Sequence, residues 1–433
     1  MNPEETATRY RTDFGRLVHR VPRVVVLADR EDQAVHALTL ARERGLPLAI
    51  RGAGHSCHGQ TLTTGLALVN VPGRADRPRL LDHDHVEVSA RSRWRDVEAF
   101  LTARGRSVPV LADYLDLSVG GTLSVGGYGA ESVALGAQVD HVERLRLILP
   151  DGRGLWCSAD EHSELFAYAM AGLGCVGVIE RVVVRTVPYR PWTTLFTYHH
   201  RDLDALVDSI GWLADAASPP MLFKALHARG RFVTTYGTHT PAMREAMAAM
   251  HQPPRPNPRP NHRWVTPRYR QWRDATVRLW LARFAGHGRL WADYIFDVDG
   301  LARFVRFLQP LLDRDAFAGC LRSVYVVAIR RRPRAVRFPL EASDGGVRSM
   351  SFGIGLYSMI PRRDPRLAER VAGTAAECLE QCVEIGGRPY RYGWHQMHER
   401  HHRALYGPAY DRLLTLSREL DPAGTLRPPV ASR

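Results

Sequence analysis

The chain has 433 residues, with 59 Lys or Arg residues against 45 Asp or Glu residues and a formal net charge of +14. Hydrophobic residues make up 45% and charged residues 24% of the chain, as in an average soluble globular protein, which excludes a disordered, collagenous or coiled-coil chain. At about 100 to 200 residues per domain, the length predicts two or three domains. Lys224 is the only lysine, so the charge is almost entirely arginine. This positive charge is compatible with several anionic partners and does not indicate which of them binds.

The cysteines and the apolar residues argue against several classes of protein. The six cysteines include no CxxC pair, which fits neither a zinc site nor a dense disulfide framework. The first twenty residues carry charges throughout and have no apolar core, so we expect no secretory signal. No window approaches about 18 consecutive apolar residues, the length of a membrane-spanning helix. We expect a cytoplasmic protein with no metal site and no membrane partner.

The first predicted elements are a strand, a helix and a second strand. VVVLA starts at Val24, a helical pattern of apolar residues covers 29–44, and LPLAI follows. This order predicts a parallel βαβ unit. The second strand runs directly into RGAGHSCHGQ, residues 51–60, a glycine-rich turn where a ligand can approach the backbone closely.

Two further glycine clusters follow in this α+β region, which ends near Pro188. After two strands and a helix over 94–104, the second cluster lies within 108–129; a hairpin is predicted at Asp151-Gly152, and residues 163–188 predict a helix, the third cluster and a strand. Each cluster offers backbone N–H groups to a pyrophosphate. None follows the G-x-G-x-x-G pattern that opens a helix in a Rossmann fold.

The second half begins with longer strands and helices. Residues 251–273 hold six arginines, no acid and many prolines, a composition typical of a solvated surface loop, with a substrate lid or an anion-facing arm as the alternative. Proline excludes a helix throughout this stretch and a central strand. The last forty residues predict a helix pair that stops at Asp421-Pro422 and packs back on another domain.

These motifs together resemble one family, the FAD-linked oxidases with a PCMH or vanillyl-alcohol oxidase type fold. RGAGHSCHGQ, ADYLDLSVGGTLSVGG, CSADEHSELFAYAMAGLGCVGVI, GGRPY and LYGPAYDRL are most similar to cytokinin dehydrogenases. The resemblance covers about half of the chain. It implies an α+β fold with a two-subdomain FAD-binding domain over 1–188, a substrate-binding domain over 189–394 with an antiparallel sheet covered by helices, and a segment over 395–433 that returns to the FAD domain.

The resemblance also implies which residues hold the cofactor. His55 would bond covalently to the flavin 8α-methyl group, as a single tether, because Tyr114 stands where some relatives carry a second, cysteine tether. Residues near the FAD diphosphate would be Arg51, Gly52, Ala53, Gly54, His55, Ser56 and Gln60. Residues along the ribityl chain and pyrophosphate would be Gly120, Gly121, Thr122, Ser124 and Gly127. Residues at the pyrimidine edge would be Gly174, Gly177 and Ile179.

Asp113 stands where cytokinin dehydrogenases carry the aspartate that takes a proton from the substrate amine. A carboxylate in a partly desolvated pocket is expected to have a raised pKa suited to that role; the alternative for Asp113 is a loop or cap residue. Tyr390 and Tyr392 match aromatic residues that line the substrate cavity. The family ends in a Gly-Gln near the flavin, where this chain has Pro429-Val430.

The sequence thus predicts an FAD-dependent oxidoreductase, monomeric or homodimeric, that takes a hydride from the C–N bond of a small molecule and passes electrons to dioxygen or another acceptor. An alcohol oxidase, or a flavin-dependent cyclase acting on a natural product or sugar, is the alternative, because a fold does not fix a function. Nucleic-acid binding through 251–273 and 329–338 would explain the arginines, but the chain has no base-reading module.

Overall fold

A parallel sheet opens the chain. The computed structural model describes residues 3–73, 76–228, 230–254, 259–312, 317, 319–332 and 350–426. The first elements are α1 (Pro3–Arg9), β1 (Val24–Ala28), α2 (Glu31–Glu43), β2 (Leu48–Arg51) and β3 (Leu66–Asn70). Both β1 and β2 pair with β3 in parallel, so the predicted strand–helix–strand unit forms, with β3 inserted between its two strands. Helix α2 buries Ala34, Ala37, Leu38 and Ala41, the helical spacing seen in the sequence.

The second sheet is antiparallel and holds the other two glycine clusters between its elements. It has the order β4-β5-β9-β7-β8. The strands are β4 (Arg79–Leu80), β5 (His85–Ser89), β7 (Val142–Ile148), β8 (Gly154–Ser158) and β9 (Val178–Arg185), and the helices are α3 (Trp94–Thr102), α4 (Val119–Leu123), α5 (Ser132–Leu135) and α6 (Ser163–Ala169). β7 and β8 form the predicted hairpin. A separate pair joins β6 (Arg106–Ser107) to β10 (Val187–Pro188).

The largest sheet has eight antiparallel strands and lies in the second half of the chain. Its order is β14-β11-β13-β12-β16-β17-β15-β18. The strands are β11 (Trp192–His200), β12 (Leu222–Ala228), β13 (Arg231–Thr240), β14 (His262–Pro267), β15 (His287–Phe296), β16 (Leu321–Arg330), β17 (Met350–Pro361) and β18 (Arg388–Pro389), and the helices are α7 (Leu203–Ile210), α8 (Met243–Ala249), α9 (Tyr269–Ala282), α10 (Val298–Leu312) and α11 (Pro365–Ile385). The predicted α+β class is confirmed; the limits of the predicted domains stay a prediction.

The chain returns to the first sheet at its end. Helices α12 (Glu399–Tyr406) and α13 (Pro408–Leu420) form the predicted pair, and α13 stops before Asp421. The Leu48 amide of β2 then donates a hydrogen bond to the Thr425 carbonyl at 2.9 Å. Pro429-Val430 lies outside the described residues. Among the described helices, none is both long enough and apolar enough to span a bilayer.

The arginine-rich stretch is not a solvated loop over 262–273, so that prediction is wrong there. Residues 262–267 form β14, a sheet-edge strand that ends in proline, and α9 follows from Tyr269. The Arg270 guanidinium is buried and contacts Glu131 at 2.9 Å and Glu98 at 3.0 Å. These acids are distant in sequence, so a stretch that lacks acids of its own still has its charge compensated.

Candidate functional site

One cavity of about 1170 Å³ brings the three glycine clusters together with strands of the eight-stranded sheet. Every cofactor residue predicted from the sequence lines it except Arg51, and so do Asp113, Tyr390 and Tyr392. Ligand pockets are commonly roughly 300 to 1,000 Å³. This cavity therefore has room for a large cofactor together with a small substrate.

Two glycines show why the clusters must lack side chains. A Cβ atom on Gly52 would lie 2.2 Å from the Ser118 hydroxyl, which accepts a hydrogen bond from the Ala53 amide. Gly127 has φ +75°, and its Cβ would lie 2.1 Å from the Gln138 amide oxygen. Only glycine combines that backbone angle with that approach, so these positions present backbone to the cavity.

The hydroxyl groups of the clusters are hydrogen-bonded to other groups of the protein. The Ser56 hydroxyl donates to Asp13 at 3.1 Å, the Ser124 hydroxyl donates to the Gly120 carbonyl at 2.7 Å, and the Thr122 hydroxyl accepts from the indole of Trp94 at 2.8 Å. These hydroxyls hold the shape of the wall. A ligand here would be bound chiefly by backbone groups.

Arg51 was expected near the FAD diphosphate, but it does not line the cavity. Its guanidinium donates to the Thr12 carbonyl at 2.9 Å and lies over the ring of Tyr10 at 5.6 Å. It packs behind Gly54, where a Cβ would lie 2.4 Å from it. Arg51 therefore supports the loop through its contacts with the N-terminal segment. The glycine motif alone could not reveal these contacts.

His55 lies at the centre of an aromatic group. Its ring stacks on Phe14 with a centroid distance of 3.8 Å and faces Tyr114 at 5.2 Å and Tyr392 at 6.4 Å. Burial, together with the charge of Arg289, lowers the pKa of His55 to about 3. The imidazole is therefore neutral at physiological pH, the form in which a ring nitrogen is nucleophilic.

Gln60 joins the first glycine loop to the segment that carries the predicted substrate residues. Its side-chain amide donates to the carbonyls of Arg391, Tyr392 and Gly393 at 3.1, 3.2 and 2.7 Å. The Tyr390 hydroxyl accepts a hydrogen bond from the Gly127 amide at 3.2 Å. The two tyrosines are thus fixed against the glycine wall, with ring centroids 5.1 Å apart.

Asp113 lines the cavity within a group of charged side chains. The Arg273 guanidinium donates to its carboxylate at 2.6 Å, and the Lys224 ammonium lies 3.9 Å from it. Burial raises the pKa of Asp113, but the charges of Arg273 and Lys224 and the hydrogen bond from Arg273 outweigh it and hold the pKa well below its ordinary value. The expected raised pKa is therefore wrong. The sequence could not show this, because both cations come from distant parts of the chain.

Lys224 is buried on β12, and its ammonium has no hydrogen-bond partner among the described residues. Burial lowers its pKa to about 7, against the opposite influence of Asp113. Sequence reasoning noted it only as the single lysine of an arginine-rich chain. A single lysine in such a chain was a signal of a functional role, because lysine, unlike arginine, can lose its proton in a protein.

Asp293, which sequence reasoning missed, is a second carboxyl in the cavity wall. It lies in β15, and its side chain accepts a hydrogen bond from the Tyr357 hydroxyl at 3.1 Å. Burial raises the pKa of Asp293 to about 7, despite the hydrogen bonds from Tyr392 and Tyr357 that lower it. The signal was available: an acid inside the strand-like run WADYIF is unusual unless the acid has a function.

Unsatisfied polar atoms in the wall fit a large polar ligand. Buried atoms without a hydrogen-bond partner in the described structure include the side-chain oxygen of Asn70, one oxygen of Asp293, the indole nitrogen of Trp291 and both ring nitrogens of His402, all in residues that line the cavity. Such orphan groups are rare in folded proteins unless a ligand or water meets them. With the glycine clusters, they fit FAD. The described residues contain no cluster of His, Cys, Asp and Glu that could hold a metal ion.

Comparisons with known proteins find a family match for the first part of the chain. Residues 22–158 match the family described as FAD binding domain. An uncharacterized oxidoreductase in the fasciation locus of Rhodococcoides fascians is 39% identical over 40% of this chain and 39% of its own length. Cytokinin dehydrogenase 10 of Oryza sativa subsp. japonica is 30% identical over 42% of this chain and 35% of its own length, and cytokinin dehydrogenase 2 of Arabidopsis thaliana is 32% identical over 46% and 42%.

The relatives match over less than half of their own length. The family match covers the first two glycine clusters and ends before the third cluster and the eight-stranded sheet. The chain therefore carries an FAD-binding domain of the PCMH type and is similar, over part of its length, to cytokinin dehydrogenases and a further oxidoreductase.

Proposed function

We propose that the protein is an FAD-dependent oxidoreductase that removes a hydride from a carbon atom of a small-molecule substrate. The observation that carries the proposal is a cavity that joins the glycine clusters of an FAD-binding domain to the eight-stranded sheet, with two carboxyl groups, Asp113 and Asp293, in its lining. FAD, when bound, supplies the hydride acceptor. The chain supplies orientation, exclusion of water and a place for the substrate's proton.

We further propose that the flavin is held covalently through His55. The neutral imidazole and the enclosing rings of Phe14 and Tyr114 support this role. Purified protein denatured in acid should keep its yellow colour, and peptide mass spectrometry should place the flavin on the His55 peptide. His55→Ala should release all flavin on denaturation, whereas His58→Ala, in the same loop, should not. Covalent flavin in His55→Ala protein would contradict the assignment.

We favour an amine as the substrate on the names of the relatives. Asp113, ionised at working pH, can accept a hydrogen bond from the substrate's N–H group, as it could from an O–H group. N6-isopentenyladenine, a cytokinin, is the first probe, in keeping with the relatives' names. Mixed anaerobically with the holoenzyme, it should bleach the visible flavin absorbance. Oxygen uptake on re-aeration tests dioxygen as the acceptor.

An alcohol is the second candidate, favoured by a specific observation. The cations Arg273 and Lys224 compensate the charge of Asp113, so this wall does not select for a positively charged substrate. Benzyl alcohol is the matching probe. Bleaching by the alcohol and not by the amine would overturn the amine assignment and keep the oxidoreductase; bleaching by neither would count against both.

A further inference from the structure

We infer that Asp293, held by Tyr357 beside Tyr392, accepts the N–H or O–H proton of the substrate, and that Asp113 orients the substrate without taking the proton. The inference rests on the proposed function, since it assigns a proton within that oxidation. It differs from the sequence-based prediction, which gave the proton to Asp113.

The geometry prepares one oxygen of Asp293 for a ligand. One carboxyl oxygen accepts the Tyr357 hydroxyl at 3.1 Å, and the other is buried without a hydrogen bond of normal length in the described structure, with the Tyr392 hydroxyl close enough to lower the pKa of Asp293. Asp293 is only 9% exposed and lines the cavity. Gly355, opposite it in β17, leaves room for the carboxyl, because a Cβ there would lie 2.4 Å from the bonded oxygen.

The surroundings of the two carboxyls differ in charge. Asp113 is bound to Arg273 and lies near Lys224. The titratable groups that face Asp293 from the elements around it are ordinarily uncharged at neutral pH: Tyr357 of β17, Tyr325 of β16, Tyr390 and Tyr392 after β18, and Cys57 of the first glycine loop. Burial raises the pKa of every one of these neutral groups.

That contrast separates the roles of the two groups. A general base works best when its pKa lies near the working pH, and a pair of carboxyls whose pKa values are pushed apart divides into one proton carrier and one permanent anion. Asp293, with a pKa of about 7, is the proton carrier. Asp113, with its pKa held low by its cations, is the anion.

The step balances in atoms and electrons. The C–H bond of the substrate breaks, and its electron pair leaves as hydride to the flavin. The N–H or O–H bond breaks heterolytically, its proton forms an O–H bond with the carboxyl oxygen of Asp293 that does not accept from Tyr357, and its electron pair becomes the second bond of C=N or C=O. The substrate is oxidised by two electrons, the flavin is reduced by two, and Asp293 releases its proton to solvent between turnovers.

The first test titrates the carboxyl without a substrate. Infrared difference spectra of the holoenzyme between pH 5 and 9 should show the C=O band of a protonated carboxyl that disappears around pH 7. Asp293→Asn should lack this band, and Asp160→Asn, which removes an exposed carboxylate, should keep it. Tyr357→Phe removes a hydrogen bond that lowers the pKa of Asp293, so its midpoint should move to higher pH. A titrating band that persists in Asp293→Asn would overturn the inference.

The second test follows anaerobic flavin reduction by N6-isopentenyladenine or benzyl alcohol, whichever reduces the wild-type enzyme. The rate should rise with pH through about 7, and Asp293→Asn should lower it by about 10² or more and flatten the profile. Asp113→Asn should raise the probe concentration needed for half-maximal rate and keep the pH midpoint. A pH-dependent step that survives in Asp293→Asn and is lost in Asp113→Asn overturns the inference, whereas no reduction of wild-type flavin by either probe means that the proposed function has failed.

Discussion

The cavity has two walls of opposite character. The glycine wall, built from the three clusters before Pro188, presents backbone, and its hydroxyls are hydrogen-bonded to other protein groups. The sheet wall, built by the eight-stranded sheet and α9, presents ionisable side chains, among them Asp293 and Arg273. The difference indicates a division of labour: the first wall binds by shape and backbone dipoles, and the second sets where charge and protons reside.

The charge of each aspartate in the cavity depends on the groups around it and not on the residue type. Asp113, in the second glycine cluster, has a low pKa because Arg273 and Lys224 lie beside it, while Asp293 has a raised pKa because burial outweighs the hydrogen bonds from Tyr392 and Tyr357. Two aspartates in one cavity therefore behave as different chemical groups. Substitutions on either wall can test this difference between them.

The largest loss of bound cofactor is expected on the glycine wall. Gly127→Ala places a Cβ against the Gln138 side chain at a backbone angle of φ +75°, and strain of this kind costs about 1 to 3 kcal/mol. Flavin incorporation, measured as the visible-to-protein absorbance ratio, should fall about tenfold or more. Gly373→Ala is the control, because a Cβ on Gly373, within α11, meets no atom within 4 Å. Equal flavin content in both variants would show that this wall tolerates side chains.

On the sheet wall, Arg273→Gln should make Asp113 resemble Asp293. Without the guanidinium, only Lys224 offsets the effect of burial, so the pKa of Asp113 should rise. The free energy of unfolding at pH 8, measured with urea, should fall by about 3 to 5 kcal/mol, the cost of stranding a buried charge. The loss should shrink as the pH falls and Asp113 takes a proton. Arg283→Gln, an exposed arginine of the same cavity, should change stability little, and a pH-independent loss in Arg273→Gln would contradict the pairing.

Asp293→Asn should stabilise the fold at alkaline pH. The folded pKa of Asp293, about 7, exceeds its ordinary value, so the stability associated with its protonated form is full at low pH and is lost as the pH rises through 7. Asparagine does not ionise, so the variant should gain up to about 4 kcal/mol over the wild type at pH 9 and almost nothing at pH 4. Thermal unfolding at both pH values measures this. Asp160→Asn, the control, should show no such pH-dependent gain. The absence of a gain in Asp293→Asn would contradict the raised pKa and mean that the carboxyl is already ionised at pH 5.

The glycine wall could be predicted from the sequence, because glycine loops at strand ends are local signals that need no knowledge of distant residues. The sheet wall could not. Asp113 was correctly placed beside the cavity, yet its pKa depends on Arg273, 160 residues further along the chain. Arg270 and Arg273 belong to a stretch that was expected to face solvent. Asp293 could have been noticed as an acid inside a strand-like run, but its partner Tyr357 lies in a different strand, so its environment could not be predicted.

The smallest effect tests whether the two walls depend on each other. Gln60→Leu removes one amide that donates to three carbonyls after β18. The Tyr392 carbonyl keeps its hydrogen bond from the Cys57 amide, and the loss of this donor at Arg391 and at the buried Gly393 should lower the free energy of unfolding by about 2 kcal/mol. Gln309→Leu, which removes a single hydrogen bond to Asp204 on α7, should lower it by about 1 kcal/mol or less. If Gln60 couples the walls, its variant should also shift the infrared midpoint of Asp293, because Tyr392 belongs to the released segment. An unchanged midpoint with reduced stability would mean that each wall holds its geometry without the other.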